Sequence, residues 1–389
     1  MPPVLDVARP AGPPLDEIVK SVLAGSGQTI NEAETLPREA YTSQAFFDLE
    51  VEKIFRKDWI CLGHIAQIPK VGDYFTVDVL NELLVVVRGA DRVRVMSRIC
   101  LHRWAPVATG QGNTKLFSCP FHRWAYGLDG RLITAPLMDS ATGFDCSQHK
   151  LPEVRSEIVD GVIYVTFDKD AYSIKERLSD LSEWLAPYKM EELVVGWQVE
   201  YVCNFNWKIA VETFMECYHH IGAHNESAEP LYPARLTYVD DSRAGWTVCT
   251  EELRPEVSNE EAFADTMPCF RHLSEAEKRK DYLMLAYPLT LLAVTPARIG
   301  VIGLIPVSPT KTIWRRNMLL PRSTVEAPGF QEKMAASKAF ADRIVGEDLA
   351  VNDMQQIGAL STLATPGRLS DLEKVVWQLA DYVRNQIQD

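Results

Sequence analysis

Cys100-Leu101-His102 and, sixteen residues further on, Cys119-Pro120-Phe121-His122 are the two segments that decide how this chain folds and what it binds. Two cysteines and two histidines in a Cys-x-His and Cys-x-x-His pattern indicate a metal site. Four such side chains can hold one tetrahedral zinc ion. They can also hold a two-iron, two-sulfide cluster, with both cysteines on one iron and both histidines on the other. The first segment lacks the Cys-x-x-Cys spacing usual in zinc sites, which favours the cluster.

The residues around both segments resemble the Rieske domain of the ring-hydroxylating oxygenases. The resemblance rests on residues 98–103, residues 118–124 and the stretch Gly127-Leu128-Asp129-Gly130-Arg131. Trp104 and Arg123 stand where that family usually has glycine, so we expect the packing of the loops to differ and the ligation to be kept. The resemblance implies that a Rieske [2Fe-2S] cluster is bound by Cys100, His102, Cys119 and His122.

Size and charge narrow the class of protein. The chain has 389 residues, of which 47% are hydrophobic, enough for two or three domains with a sizeable core. Its net charge of −13 argues against nucleic acid and anionic membranes as partners. The N-terminus lacks the apolar core of a signal peptide, and the longest uncharged stretch is broken by prolines, so no membrane span is predicted. The other six cysteines have no framework spacing and are expected to be free thiols, so we expect a cytoplasmic protein.

The first half of the chain predicts a small β domain. Residues 1–44 form a polar lead with a short helix at residues 15–23, and we expect this segment to pack on a later domain. Strand patterns at residues 74–79, 83–87 and 162–167 enclose the turn-rich metal segments. The sequence therefore predicts an all-β Rieske domain over residues 45–168, with the cluster held by two loops at its tip.

The second half, residues 169–389, predicts a larger catalytic domain in which helices cover an antiparallel sheet, so the whole chain is of the α+β class. Strands are expected at residues 197–205, 283–292, 298–307 and 312–320, and a helix is expected from Asn206. Residues 250–281 are charged and irregular, which predicts a solvated connection or a lid. Two helices close the chain, and the last begins with a capping box at Ser370-Asp371-Leu372-Glu373.

Three histidines follow the helix predicted from Asn206, which we expect to continue as far as His224. An iron that activates dioxygen takes two histidines and one carboxylate, with other positions open for oxygen. His220 and His224 share a helix face, whereas His219 and His224 lie about 140° apart and can converge only if the helix breaks, for which Gly222 offers a place. The residues alone leave this choice open. The family resembled here carries an acid-x-x-His-x-x-x-x-His motif, which implies Glu216, His219 and His224 and leaves His220 as a packed or hydrogen-bonded histidine.

Asp348 is the expected third iron ligand. An apolar stripe at helical spacing runs through Ala341, Ile344 and Val345, and its continuation through Gly346 contains Asp348. An acid on a buried stripe is costly unless it is paired or binds metal. The family resemblance also implies a carboxylate ligand in a Glu-Asp pair near the chain end. The alternative is an acid exposed by a helix break at Gly346, and Glu347 is expected to be solvated.

Glu216 matches the family position that links a cluster histidine of one subunit to an iron histidine of the next. Most members have aspartate there, and glutamate is typical of the branch that demethylates quaternary ammonium compounds such as carnitine and glycine betaine. The resemblance implies a head-to-tail homotrimer in which the two metal centres pair across subunits.

The two sites together predict a terminal oxygenase that hydroxylates or N- or O-demethylates a small organic substrate with O2 activated at a mononuclear Fe(II). Electrons would come from NAD(P)H through a separate reductase or ferredoxin, because the chain has no Gly-x-Gly-x-x-Gly fingerprint after a strand. Two alternatives stay open from the sequence. One is cis-dihydroxylation of an aromatic ring, and the other is a Rieske electron carrier or a zinc-bound structural protein.

Overall fold

The computed structural model describes residues 12–263 and 267–388, so the first eleven residues of the predicted N-terminal segment lie outside it. The α+β class is confirmed, because strands of antiparallel sheets and helices both occur throughout the described chain. No helix among these residues has the length and apolar character that a membrane span requires.

Ten α-helices occur within the described residues. They are α1 Leu15–Leu23, α2 Glu39–Thr42, α3 Gln44–Glu50, α4 Ile174–Arg177, α5 Ser179–Leu185, α6 Trp207–Met215, α7 Asn259–Phe263, α8 Arg322–Val325, α9 Phe330–Ala359 and α10 Lys374–Gln388.

Seventeen strands occur in the same part of the chain. They are β1 Ile60–His64, β2 Asp73–Val79, β3 Glu82–Arg88, β4 Val93–Ser97, β5 Gln111–Asn113, β6 Phe117–Ser118, β7 Ala125–Tyr126, β8 Leu132–Thr134, β9 Arg155–Val159, β10 Val162–Thr166, β11 Val194–Cys203, β12 Tyr238–Val239, β13 Trp246–Glu252, β14 Lys280–Ala286, β15 Thr290–Val294, β16 Ile299–Ser308 and β17 Lys311–Leu320.

Two small antiparallel sheets carry the Cys-x-His and Cys-x-x-His segments. One sheet has the order β4-β3-β2-β5 and the other has the order β6-β7-β8. The first segment follows β4 and the second joins β6 to β7, so the two loops extend from neighbouring sheets. Buried side chains including Val85, Met96 and Tyr126 fill the core beneath them. The expected arrangement of two loops at the end of a small β unit is therefore present.

A seven-stranded antiparallel sheet with the order β11-β17-β16-β15-β14-β13-β12 forms the second half of the molecule. The central strands β15 and β16 are almost wholly apolar, because one face meets helices and the other meets further chain. Helices α6, α9 and α10 contact strands of this sheet. Between helices and sheet lies the segment that holds the three histidines.

A third small sheet, β1-β10-β9, joins the two halves. Gly303 in β16 faces the carbonyl oxygen of Cys61 in β1 so closely that an added Cβ would lie 2.6 Å from it. Tyr164 of β10 and Val301 of β16 share one buried core. The strands before residue 168 thus pack on the seven-stranded sheet. The domain boundaries at residues 44 and 168 stay a prediction.

The described part of the N-terminal segment contacts the closing helix. Ile18 and Val22 on α1 are buried, and the Nε of Arg384 on α10 donates to the carbonyl of Val22 at 2.9 Å. Glu34 forms a β-bridge with Arg368. The predicted capping box is confirmed, since Ser370 and Glu373 exchange side-chain and backbone hydrogen bonds.

Two expectations about strands were wrong. The predicted strand at 283–292 is a hairpin, because the chain turns at Tyr287-Pro288 between β14 and β15. Residues 250–252 and 280–281, expected to be irregular, belong to β13 and β14, which pair with each other. Charged residues at these positions concealed the strands from a pattern based on hydrophobicity. Glu251 and Asp281 stand directly opposite each other and line a cavity inside the protein.

An ion pair buried at the start of α6 fixes this helix against the N-terminal helices. The ammonium group of Lys208 contacts a carboxylate oxygen of Glu50 on α3, and both side chains are fully buried. The indole of Trp207 donates to the other oxygen of Glu50 at 3.2 Å. Burial opposes the charge on both groups, so it raises the pKa of Glu50 and lowers that of Lys208. Each charge depends on the other to remain in the core.

Replacing Lys208 with Met should leave the Glu50 carboxylate buried without a cation and destabilise the fold by about 3–5 kcal/mol. Differential scanning calorimetry of the variant would show a lower unfolding temperature. The control is the double variant Glu50→Gln with Lys208→Met, which removes both charges and should recover most of the loss. Equal unfolding temperatures for the single and double variants would show that the uncompensated charge is not the cause.

Candidate metal centres

The two Cys/His loops share one backbone design. In the first, Trp104 N donates to Cys100 O at 3.1 Å and Cys100 N donates to Ala105 O at 3.0 Å. In the second, Arg123 N donates to Cys119 O at 3.1 Å and Cys119 N donates to Trp124 O at 2.8 Å. Each loop therefore presents its cysteine at the same position of an identical turn, although histidine follows by two residues in one loop and by three in the other.

The two loops bring their histidines together and bury their cysteines in one core. His102 is half-buried and His122 is exposed. The Nδ1 atoms of the two histidines lie 3.1 Å apart. The hydroxyl of Tyr126 lies 3.2 Å from the Cys100 sulfur and accepts from Leu101 N at 3.0 Å. Thiols on the inner side and imidazoles on the outer side suit a cluster that binds cysteines on its buried iron and histidines on its outer iron.

Trp104 and Arg123, which depart from the family glycine, both adopt the left-handed conformation with φ of 61°. A side chain in this region costs about 1 kcal/mol, and the loop hydrogen bonds hold both residues there. The Trp104 side chain projects outward and is 78% exposed. The loops thus keep the turn that glycine usually provides.

The helix expected to reach His224 ends earlier. Helix α6 stops at Met215, and Glu216 is extended with φ −114° and ψ 145°. A short 3-10 turn, Tyr218–Ile221, follows. The carboxylate of Glu216 caps this turn, accepting from His219 N at 3.1 Å and from His219 Nδ1 at 2.9 Å. The break occurs at Glu216 and not at Gly222, and it brings His219 and His224 to the same side.

Helix α9 continues through Gly346, so the alternative of a helix break there is wrong. Asp348, Asn352 and Gln356 follow one another at four-residue spacing and are all buried. Asn352 accepts from the Thr213 hydroxyl at 2.6 Å, and Gln356 accepts from Asn206 N at 2.7 Å. This buried polar row holds α9 against α6 and directs Asp348 toward the histidines.

Asp348 lies between the Nε2 atoms of two histidines. Its Oδ1 is 2.8 Å from His224 Nε2 and 3.4 Å from His219 Nε2. Their Nδ1 atoms each face another carboxylate, Glu216 at 2.9 Å from His219 and Glu347 at 2.7 Å from His224. Because a carboxylate accepts, each Nδ1 donates its proton to its own acid, and each Nε2 atom faces Asp348 as a potential metal ligand.

The side chains of His219, His224 and Asp348 are arranged so that they can bind a metal cation. The His219 Nε2 atom is buried without a hydrogen-bond partner. In the protein alone, burial opposes the charged ring of His219, but Asp348 and Glu216 outweigh it and raise its pKa to about 10. Burial also opposes the charged ring of His224, but Asp348 and Glu347 outweigh it and raise its pKa. Two imidazole lone pairs and one carboxylate on one side, with further positions open, are the ligand set of a mononuclear iron.

His220 lies close to the other two histidines, since one ring nitrogen of each lies within 4.8 Å of the others. Its hydrogen bonds point elsewhere. Its Nδ1 donates to Tyr232 O at 3.0 Å, and its Nε2 lies 3.5 Å from Glu251 Oε1. His220 is thus the packed, hydrogen-bonded histidine that the sequence led us to expect.

Glu347 was expected to be solvated, and this was wrong. It accepts from His224 Nδ1 and from the hydroxyl of Ser227, and Arg343 donates to it at 3.0 Å. Burial opposes its charge, but these hydrogen bonds outweigh burial and lower its pKa. The sequence signal for this contact was the position of Glu347 directly next to Asp348. Adjacent residues of a helix project about 100° apart, so the two acids can contact opposite sides of the His224 imidazole.

A cavity of about 160 Å³ opens beside the histidines and Asp348. Its walls combine aliphatic side chains with aromatic, acidic and basic ones. Besides Asp348 and the histidines, the aromatic residues are Phe214, Tyr232, Trp314 and Phe340, the acidic ones are Glu251 and Asp281, and the basic ones are Arg298 and Arg316. A second cavity of about 230 Å³ shares Tyr232, Asp281, Thr295, Arg298 and Phe340 with the first. Together they can hold a small organic molecule next to a metal bound at His219.

Two protein-family models match the chain. The model of the Rieske [2Fe-2S] domain matches residues 58–153, and the model of the ring hydroxylating alpha subunit catalytic domain matches residues 190–389, about half of the chain. The first match decides between cluster and zinc, and the second excludes a simple electron carrier.

Individual relatives and a solved structure match between about half and nearly all of the chain. The carnitine monooxygenase oxygenase subunit of Escherichia coli K12 is 29% identical over 336 residues, which are 85% of each chain. The glycine betaine monooxygenase oxygenase subunit of Chromohalobacter salexigens is 34% identical over 212 residues, 54% of this chain and 47% of the relative. The crystal structure of the quaternary ammonium Rieske monooxygenase CntA has the same fold, with a TM-score of 0.79 and 23% identity over 95% of this chain and 98% of that one.

The chain therefore belongs to the family of ring-hydroxylating oxygenase alpha subunits, Rieske non-haem iron oxygenases that combine a [2Fe-2S] cluster with a mononuclear iron.

Proposed function

We propose that this chain is a terminal oxygenase that removes an N-methyl group from a small quaternary ammonium compound. The observation that carries the proposal is the cavity beside His219, His224 and Asp348, in a chain similar along 85% of its length to an oxygenase subunit for carnitine. Glutamate at position 216 supports the same branch of the family.

We infer that Cys100, His102, Cys119 and His122 bind the cluster, and that His219, His224 and Asp348 bind the iron. When bound, the cluster supplies electrons one at a time and the iron binds and activates dioxygen. Insertion of one oxygen atom into a C–H bond of the N-methyl group gives an N-hydroxymethyl ammonium compound. This product breaks its C–N bond to give a tertiary amine, formaldehyde and a proton. Two electrons and two protons reduce the second oxygen atom to water.

The cavity wall supports a cationic substrate. Tyr232, Trp314 and Phe340 offer aromatic faces, to which a quaternary ammonium is attracted. Glu251 is buried and Asp281 half-buried on the same wall. Burial, followed by the charge of Glu251, raises the pKa of Asp281 to about 8. A substrate cation would favour the charged form of this acid.

Glu216 is proposed to orient His219 and to bridge it to the cluster of a neighbouring subunit in a homotrimer. Exposed apolar side chains at both places support such a contact. Trp104 and Phe121 are 78% and 52% exposed at the cluster loops, and Tyr218 and Ile221 are 42% and 57% exposed beside Glu216. A reductase or ferredoxin that delivers the electrons is likewise proposed as a partner.

Replacing Asp348 with Ala should remove the mononuclear iron and lower turnover by a factor of at least about 100, because the two imidazoles alone hold iron weakly. The visible absorption of the cluster should stay unchanged. The control is His220→Asn, whose amide can still donate to Tyr232 O and which should keep its iron. Iron content and turnover of both variants would be measured together; iron kept by Asp348→Ala and lost by His220→Asn would reverse the ligand assignment.

Replacing Glu216 with Gln should keep both metals and slow electron transfer between them about 10- to 100-fold, because the negative charge that polarises His219 is lost. Rapid mixing of the reduced protein with oxygen and substrate measures this rate in a single turnover. Glu216→Asp is the control, since it keeps the charge and should be affected less. An unchanged single-turnover rate in Glu216→Gln would remove the bridging role.

The proposed reaction predicts formaldehyde and oxygen uptake in equal amounts. Iron-loaded protein would be assayed with a generic reductase on quaternary ammonium compounds, N-methyl and O-methyl aromatics, and aromatic acids. Formaldehyde should appear with quaternary ammonium substrates. Oxygen uptake that yields a cis-diol without formaldehyde would move the protein to the ring-dihydroxylating alternative.

A further inference from the structure

Two arginines in the iron-site cavity have no acidic partner. Arg298 stands in the turn between β15 and β16, and Arg316 lies on β17. Both line the cavity that also contains His219, His224 and Asp348. Burial, followed by the charge of Arg298, lowers the pKa of Arg316 to about 10, so the two cations are close enough to repel each other.

Both guanidinium groups make few hydrogen bonds and no close ion pair within the described residues. Arg298 donates from Nη1 to the Ser337 hydroxyl at 2.8 Å, and its Nε is buried without a partner. Arg316 donates from Nε to the sulfur of Met318 at 3.1 Å. Within the described residues, no carboxylate lies within 4.0 Å of either group. By contrast, the half-buried Arg177 and Arg315 elsewhere in the chain each pair with a carboxylate, Asp58 and Glu200 respectively.

The nearby acids do not balance these charges. Asp281 is the acid whose charge acts most strongly on Arg298. Burial and the charge of Glu251 raise the pKa of Asp281, so this acid is partly protonated near neutral pH. Asp348 acts on Arg316 from a distance, and its carboxylate is already engaged by His219 and His224. Two half-buried cations without a counterion are unfavourable for the protein alone. A group that enters the cavity with a negative charge would relieve this cost.

We propose that Arg298 and Arg316 bind an anionic group of the substrate, a carboxylate or a sulfonate. This inference rests on the proposed function and makes it more specific. The substrate is then a zwitterion, whose ammonium group lies near the acids and aromatic rings and whose anionic group contacts the guanidiniums. Guanidinium pairs match the two oxygens of a carboxylate or sulfonate in geometry as well as charge. Arg298 lines both cavities, so it stands where they meet.

The test is a calorimetric binding titration of the oxidised, metal-loaded protein without reductant, so that no turnover is needed. One ligand series keeps the trimethylammonium group and varies the other end: glycine betaine, N,N,N-trimethyltaurine and choline. A second series lacks the ammonium group: benzoate, benzenesulfonate and benzamide. In at least one series the anions should bind about tenfold or more tightly than the neutral member. Arg316→Met and Arg298→Met should each reduce that ratio to about two.

The two series separate this inference from the proposed function. If the betaines and choline bind equally and the arginine variants change nothing, the demethylase proposal stands and the anion site is wrong. If only the aromatic anions bind and the variants abolish that binding, the anion site stands and the quaternary ammonium proposal is wrong. Binding of no anion in either series overturns the anion site.

Stability of the ligand-free protein gives an independent readout. Because Arg316 has no counterion, Arg316→Met should unfold at the same temperature as the parent chain or a few degrees higher. The matched control is Arg177→Met, which leaves Asp58 buried without its cation and should unfold at a temperature several degrees lower. A loss for Arg316→Met as large as for Arg177→Met would show that Arg316 supports the fold, and this would overturn its assignment to substrate binding.

Discussion

The central constraint in this structure is a buried carboxylate placed between two imidazole nitrogens. Asp348 directs one oxygen toward the Nε2 atoms of His219 and His224, while Glu216 and Glu347 hold the opposite side of each ring. These three carboxylates and two imidazoles need positive charge among them, which protonated imidazoles supply in the protein alone and a bound metal cation would supply at the centre. The rest of the catalytic half keeps this arrangement in place.

Three supports converge on it. The buried pair of Lys208 and Glu50 fixes the start of α6, and the end of that helix gives way to the capped turn that presents His219. The long helix α9 brings Asp348 from the other side and is tied to α6 through Asn352 and Gln356. The seven-stranded sheet closes the cavity below. The proposed metal ligands therefore lie on elements that are fixed independently of a metal, which is the arrangement that a reactive centre requires.

The sequence predicted most of this site, and the reasons are physical. The proposed cluster ligands Cys100, His102, Cys119 and His122 lie close together in the sequence, so their spacing can be recognised from the sequence alone. Asp348 could be found because burial on a helical stripe is periodic. The strand β13 could not be found in this way, since a polar residue that faces a cavity has the same pattern as one that faces water. The role of Glu347 could be inferred only from its position next to Asp348, because hydrophobic patterning alone predicts a solvated side chain. The exact end of α6 depends on the hydrogen bond from the His219 backbone N–H to the Glu216 carboxylate. Helix propensities take no account of such a side-chain contact.

Anomalous diffraction at the iron edge, from crystals of the metal-loaded protein, tests the central claim most directly. We expect one peak between the two Cys/His loops and a separate peak about 2.2 Å from His219 Nε2, His224 Nε2 and Asp348 Oδ1. A second peak next to Cys217, His220 and Glu251 instead, with none at Asp348, would contradict this claim.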